Sequence, residues 1–401
     1  MNKKLKVCYI ISVLKNSTGK GGHFHSLKTL VDEIQNEITV SVIVIGTRMP
    51  EILESLNLEV VYVSTKWNVY AIFDVLKVQK IIKKIDPDVI HAYDRSSLNI
   101  INVLNLLYKK HVVFTKCGGE NPLKRLFPHP YSKTVICFSE ENLNYYEDNY
   151  IFRGAKFFYI PNRSKKIFAE KSAIGKMINV IGEGTVFLRI GRFSTFHKKS
   201  FEQTIALFKE LSSHEEIPLS TPIKLVLIGA IESENVFIDL KRSCVGYDVF
   251  FFTKDEYTVE ASRLINVGSF VIGTGRSLME AAAMGKVLLS PIKNGKFPVL
   301  IDEMSFKECF RTNFSARNVV LSYDEKENIN KIVKAIQNKE YKKSLEIFSY
   351  KMFADHFDIK KSVERHLHIY DSIGEKVSFV RSTYYMFLGI IRWVKTCVDF
   401  K

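Results

Sequence analysis

The chain has 401 residues, 46% of them hydrophobic, and a formal net charge of +15. That length exceeds one ordinary core and implies two domains, while only 10 prolines and no low-complexity run exclude long disordered segments. The charge calls for anionic partners, either nucleic acid, acidic headgroups or phosphorylated substrates; the six scattered cysteines form no CxxC pair and read as buried thiols in a reducing compartment, not as a disulfide framework.

The N-terminus is basic and then apolar, but Cys8–Val13 is a short β-branched run without a small-residue cleavage site, so Lys6–Val13 reads as a first strand and not as a signal peptide. Leu27, Leu30, Val31 and Ile34 repeat at helical spacing. Thr39–Ile45 and Leu58–Val63 are strands, Val69–Ile85 a helix, and Asp88–Ala92, His111–Lys116, Thr134–Phe138 and Lys156–Ile160 further strands. Their continuous apolar character is that of parallel strands covered on both faces. Pro161–Met177 reads as a linker, after which the pattern restarts. Val186–Gly191, Leu225–Ile228, Val249–Phe252, Ser269–Ile272 and Val287–Leu289 are strands; Phe201–Leu211 and Ser277–Ala283 are helices. Two βαβ series mean an α/β chain with two doubly wound parallel sheets, whose ligands bind beyond the carboxyl ends of the strands. No run of ~18–20 apolar residues offers a membrane span.

Four stretches carry candidate chemistry. Val271–Leu289 holds a strand, a glycine-bearing turn and a helix start. The amides of Gly275, Arg276, Ser277 and Leu278 would point toward a phosphate or sugar hydroxyl, and Glu280, placed in the first turn, could accept from both ribose hydroxyls. It could equally complement the helix dipole, worth ~0.3–1 kcal/mol. Ile190–Phe201 places Arg192, His197, Lys198 and Lys199 after a strand. Cations there would stabilise a departing diphosphate, and losing one such donor commonly costs ~10²–10³ in rate; a solvated basic turn is the plain alternative. In the loop after the first strand, Gly21, Gly22, His23 and His25 are not a P-loop, since Gly19-Lys20 lacks the following Ser/Thr, and not GxGxxG. His23 and His25 are acceptor contacts or loop histidines with no role. Lys116, Gly118 and Gly119 end another strand and are candidates for the acceptor side, with an ordinary turn as the alternative; Cys117 reads as a bystander thiol. Asp86-Pro87-Asp88 precedes a strand instead of ending one, so it is a turn and not a metal-binding DxD. Neither a recognition helix nor Cys/His zinc spacing supports nucleic-acid binding.

The run Glu280-Ala281-Ala282-Ala283-Met284-Gly285-Lys286, with Gly191-Arg192 and the lysines after it, resembles the retaining glycosyltransferase group 1 family (glycosyltransferase family 4-like), of GT-B architecture. Pro87-Asp88-Val89-Ile90-His91 and the Gly21-Gly22 pair are similar to family elements as well. The resemblance departs at Ile272, where the family's signature has its first acidic residue, at Val287, where proline is common, and at Thr115 or Lys116, where many relatives have histidine. It implies two Rossmann-like domains facing across a cleft: an acceptor domain (1–165), a nucleotide-sugar domain (178–355), and a crossover helix with a basic tail (356–401). It implies Arg192 and Lys199 (or Lys198) on the donor diphosphate, Glu280 on the ribose, and transfer with retention that needs no metal, no cofactor and no general base. Lys/Phe-rich members often serve bacterial envelope polysaccharide synthesis, so the expected partners are a nucleotide sugar and a glycan or lipid-linked acceptor in the cytoplasm. The tail from Val377 has a basic stripe (Arg381, Arg392, Lys395) and an apolar one (Phe379, Met386, Ile390, Val394), with Tyr384, Tyr385 and Trp393 between, a pattern suited to an anionic membrane surface. A nucleotide-sugar 2-epimerase and a degenerate scaffold paralogue share the expected architecture and remain alternatives.

Overall fold

The computed structural model describes residues 4–13, 21–65, 72–108, 110–121, 131–149, 152–218, 220–372 and several residues between 380 and 391. The chain divides into two compact units. One runs to Asn162 and resumes at Ile359; the other is Arg163–Asp358.

The first unit is built on seven parallel strands: β1 (Lys6–Val13), β2 (Thr39–Gly46), β3 (Val60–Ser64), β4 (Val89–Ala92), β5 (His111–Lys116), β6 (Thr134–Cys137) and β7 (Lys156–Tyr159). Their order is β3-β2-β1-β4-β5-β6-β7. β1 shows why the sequence chooses this layering. Its side chains alternate between two buried faces. Val7, Tyr9, Ile11 and Val13 meet the helices Gly22–Ile34 and Ile359–Asp371. Cys8 and Ile10 meet Leu98 and Ile101 of the helix Arg95–Tyr108, with Val78 and Ile82 of the helix Ile72–Ile85.

The second unit holds β8 (Thr185–Ile190), β9 (Ile223–Ile228), β10 (Val249–Phe252), β11 (Phe270–Ile272), β12 (Val287–Ser290) and β13 (Val299–Leu300), in the order β10-β9-β8-β11-β12-β13. Only β13 runs antiparallel, beside β12. Two residues carry too little periodicity for such a strand to be read from sequence. In each sheet one pair of neighbours, β1/β4 and β8/β11, marks the point where the strand order reverses, which is where ligands of such sheets bind.

The chain leaves the second unit through a π-helical turn at Phe353–Phe357 and returns to the first as the helix Ile359–Asp371. A buried polar chain fixes that return. The Tyr370 hydroxyl lies 2.8 Å from that of Tyr9 and 2.7 Å from His91 Nδ1, and His91 Nε2 lies 2.7 Å from Thr115 Oγ1. His91 and Thr115 are fully buried, so Thr115 is a structural residue.

Other expectations shift in informative ways. The stretch expected as linker contains the helix Lys171–Ile181, whose Met177 is buried in the second unit's core. The helix expected at Phe201–Leu211 begins at Lys198, because two lysines disfavoured by the helix dipole disguise its first turn. Arg381, Arg392, Lys395, Phe379, Val394, Tyr385 and Trp393 of the expected amphipathic tail lie outside the described residues, whereas Tyr384, Met386 and Ile390 are helical. Among the described residues no helix is long and apolar enough to cross a membrane.

Replacing Tyr370 by Phe leaves two buried partners without their shared hydroxyl. The expected cost is ~1–3 kcal/mol, read by chemical denaturation as a lowered midpoint for the unit that contains it.

Candidate functional site

The second unit's site begins with one side chain at the end of β8. Arg189 follows Phe187 on the same strand face and is 1% exposed. Its Nη2 donates to Ser200 Oγ at 2.8 Å, its Nη1 to the Ile272 carbonyl at 3.3 Å, and the guanidinium lies 5.1 Å from the centre of the Phe201 ring. Ile272 ends β11, so Arg189 spans the switch point of the sheet and ties the loop after β8 to the loop after β11. Its Nε is buried without a hydrogen-bond partner. Burial lowers the guanidinium to about 10, and no carboxylate opposes that shift. It is therefore still a cation at neutral pH, and among the described residues no ion pair compensates it.

The loop above it is shaped to bring more cations to the same place. The amide of Gly191 donates to Ile228 and that of Phe193 to Ala230, holding the loop against the end of β9. A Cβ on Gly229 would stand 1.8 Å from the Gly191 carbonyl, so only glycine permits this approach. Arg192 Nη1 pairs with Glu232 Oε1 at 2.7 Å. His197 Nδ1 lies 2.8 Å from Ser194 Oγ at the start of the helix Lys198–Ser212. Burial first, then Arg189 and Arg192, push its imidazole down to about 4. The two candidate lysines part here: Lys198 is held by Asp239 at 2.9 Å, whereas Lys199 makes only a long 3.4 Å contact with the Lys293 carbonyl.

Across the switch point, Gly275 enters the helix Arg276–Ala283 at φ 53° and ψ −121°, a conformation that favours glycine. Of the four amides expected to face a ligand, that of Gly275 donates to the Phe314 carbonyl at 3.0 Å and that of Leu278 to the Gly275 carbonyl at 3.2 Å. Ser277 Oγ donates to the Thr274 carbonyl at 3.1 Å. Glu280 is the fifth residue of the helix and not in its first turn, because the helix opens at Arg276. Its carboxylate is nearly buried and pairs with Arg276 Nε at 2.5 Å. A complement to the dipole is thereby replaced by a local ion pair on the rim of the site.

In the first unit the corresponding switch point gathers Gly21, Gly22 and His23 after β1 with Asp94 after β4. Gly21 and Gly22 open the helix Gly22–Ile34. The His23 ring lies tilted against that of Phe24 with ring centres 3.9 Å apart; burial lowers its pKa and Asp94 opposes the shift. Asp94 accepts from the amide and hydroxyl of Ser12, both at 2.6 Å, and from the amides of Ser96 and Ser97, both at 2.9 Å. The carbonyl of His25 takes the Thr29 hydroxyl at 2.8 Å. Lys116, Gly118 and Gly119 lie one strand further, after β5; Lys116 Nζ donates to the Glu120 carbonyl at 3.3 Å, and the glycines adopt φ 97° and 78°. Asp86 pairs with Lys110 at 2.7 Å and Asp88 accepts from the Lys6 amide at 2.9 Å, so the Asp-Pro-Asp run is structural. Among the described residues no group of three His, Cys, Asp or Glu could hold a metal ion.

Arg189, Asp94, Glu232 and Asp239 were not singled out from sequence. The available signal for Arg189 was a charged residue inside an otherwise apolar buried strand.

Known proteins fit this picture. Residues 6–124 match the family model described as glycosyl transferase 4-like. No curated protein sequence matches the chain. Among solved structures, HepE of Anabaena, described in complex with UDP and glucose, is 14% identical with a TM-score of 0.65 over 92% of this chain and 100% of its own. A glycosyltransferase from Rickettsia africae is 14% identical, TM-score 0.66, over 93% and 99%. A UDP-GlcNAc 2-epimerase from Neisseria meningitidis is 14% identical, TM-score 0.53, over 91% and 100%. The chain thus has the α/β two-domain GT-B fold and resembles the group 1 glycosyltransferases of that architecture.

Two outcomes follow from the buried cations. An uncompensated buried charge costs stability. Arg189→Met should therefore leave the melting temperature of the ligand-free protein unchanged or higher, while weakening pyrophosphate binding by about tenfold or more in calorimetric titration. The depressed His197 keeps the folded state unprotonated between its ordinary 6.5 and about 4, so its contribution to stability falls as pH drops through that window. An anion bound beside it raises its pKa again. Pyrophosphate binding in that window should take up a proton, seen as a buffer-dependent binding enthalpy that His197→Gln abolishes.

Proposed function

We propose that the chain is a glycosyltransferase that moves a sugar from a nucleotide-diphosphate donor to a glycan or lipid-linked acceptor, with retention at the anomeric carbon. The observation that carries this reading is the uncompensated Arg189, flanked by Arg192 and Lys199, at the β8/β11 switch point. A buried cation without a counter-ion calls for an anion of the ligand, and a diphosphate brings at least two charges. The sugar–phosphate bond breaks with its electron pair on the diphosphate oxygen, the acceptor hydroxyl oxygen bonds to the anomeric carbon, and its proton passes to that departing oxygen. Arg192 and Lys199 stabilise the growing charge, Arg189 acts from beneath, and Glu280 takes the ribose hydroxyls once the donor competes for Arg276. In the turn Gly275–Leu278 the amides of Arg276 and Ser277 face the diphosphate, and Lys198 reaches it by exchanging Asp239 for the ligand. These cations do what a metal would do, so neither metal nor cofactor is needed.

On the acceptor side we assign Gly21, Gly22, His23, His25, Lys116, Gly118 and Gly119, supported by their position after β1 and β5. The proposed setting is envelope polysaccharide synthesis in the bacterial cytoplasm, with the basic tail from Val377 on the inner membrane face. The likeness to a 2-epimerase supports a second reading. It would need carboxylates at the donor that act as acid and base toward the sugar.

Thermal stability against a panel of nucleoside diphosphates and nucleotide sugars tests this. A ligand at a hundred times its Kd should stabilise the fold by ~2.7 kcal/mol, with the shift lost in Glu280→Ala. Arg192→Ala and Lys199→Ala should each lower transfer by ~10²–10³. No shift with any nucleotide at millimolar concentration favours the scaffold, and conversion of a nucleotide sugar without acceptor favours the epimerase.

A further inference from the structure

A second candidate site lies in the same unit, at the opposite end of its strands. The helix Arg276–Ala283 carries the chain from the carboxyl end of β11 back to the amino end of β12. There, Met284–Lys286 line an open groove of about 660 Å³ that none of the donor-site residues touches. Its wall is the helix Lys339–Met352, which presents Lys343, Glu346, Ile347 and Tyr350 at positions i, i+3, i+4 and i+7, one continuous face. Its other side is the segment Lys166–Ala169.

Two features of this groove need a partner. It is apolar where water reaches it: Phe168 is 84% exposed, Ile347 59% and Tyr350 49%. It is also unbalanced in charge. Lys166, Lys286 and Lys343 face one carboxylate, Glu346, which lies 3.7 Å from Lys343. Lys286 makes no ion pair among the described residues, and burial lowers its pKa, so its ammonium is held partly desolvated beside apolar side chains. Exposed aromatic and aliphatic groups interleaved with lysines match the boundary of an anionic bilayer, where rings enter the headgroup layer and ammonium groups meet phosphates. A free phosphate would be served by arginine forks or a nest of amides instead; the groove's lining holds no arginine, and the amides of Met284, Gly285 and Lys286 donate to the Ala281 and Ala282 carbonyls.

We infer that this groove is a docking surface for an anionic membrane, taking lipid phosphates on Lys166, Lys286 and Lys343 and the acyl–headgroup boundary on Phe168, Ile347 and Tyr350. It uses none of the tail's residues and does not depend on the donor reading.

The test is flotation of the full chain with phosphatidylglycerol-containing vesicles, with pure phosphatidylcholine vesicles as the neutral control. Phe168→Asp and Lys286→Glu should each lower partition onto the anionic vesicles by about tenfold, with unchanged far-ultraviolet dichroism and melting temperature. The double variant Arg392→Glu/Lys395→Glu, in the tail, should retain a groove-dependent share of binding. Wild-type partition by both folded groove variants overturns the inference, as does complete loss of binding in the tail variant alone. Saturation of the groove by soluble glycerol phosphate, seen as equal competition with and without vesicles, overturns the choice of a bilayer.

Discussion

A guanidinium cannot shed its proton at physiological pH, and that constraint organises the second unit. Arg189 is buried at the end of a central strand, where an uncompensated charge is costly. Among the described residues no carboxylate pairs with it. The fold supplies a hydroxyl, a backbone carbonyl and an aromatic face, and each comes from an element that must be in place for the site to exist. Ser200 fixes the start of the helix Lys198–Ser212, and Ile272 fixes the end of β11. The glycine contact between Gly229 and Gly191 then lets the loop lie flat above the charge. The geometry of the loop and the electrostatics of the site are one arrangement.

The first unit solves a different problem at its own switch point. Asp94 is a carboxylate surrounded by donors, taking four hydrogen bonds from Ser12, Ser96 and Ser97. Its charge is dispersed over amides and hydroxyls and is spent on holding the start of a helix against β1. His91 is equally committed, with both ring nitrogens engaged by Tyr370 and Thr115. Among the described residues, these strand ends frame the segments that follow them, Gly21 to His23 after β1 and Cys117 to Gly119 after β5.

The sheets were legible because buried parallel strands are nearly continuous apolar runs; His111–Lys116 and Val249–Phe252 have the bounds expected from sequence. What sequence hid has physical causes. The first turn of the helix at Lys198 carries two lysines against the dipole, so periodicity began only at Phe201. β13 is two residues long. Arg189 was hidden by its neighbours, since a window average over Thr185–Ile190 reads the strand and not the one charge within it. Glu280 was visible as a residue, but its partner was not. Only the helix phase, set by Gly275, places Arg276 one turn before it. Motifs name residues, and the structure says which of them are already engaged.

That engagement bears on the departure at Ile272. The resembling family has an acid at this position; here the side chain is buried and apolar, and its carbonyl accepts from Arg189. An acid there would have stood where it could neutralise Arg189, leaving a site with less positive field. Without it, burial first and then the charges of Arg189 and Arg192 hold the His197 imidazole down to about 4. Ile272 and Arg189 are paired across two adjacent strands, so the apolar side chain and the uncompensated arginine share one end of the sheet.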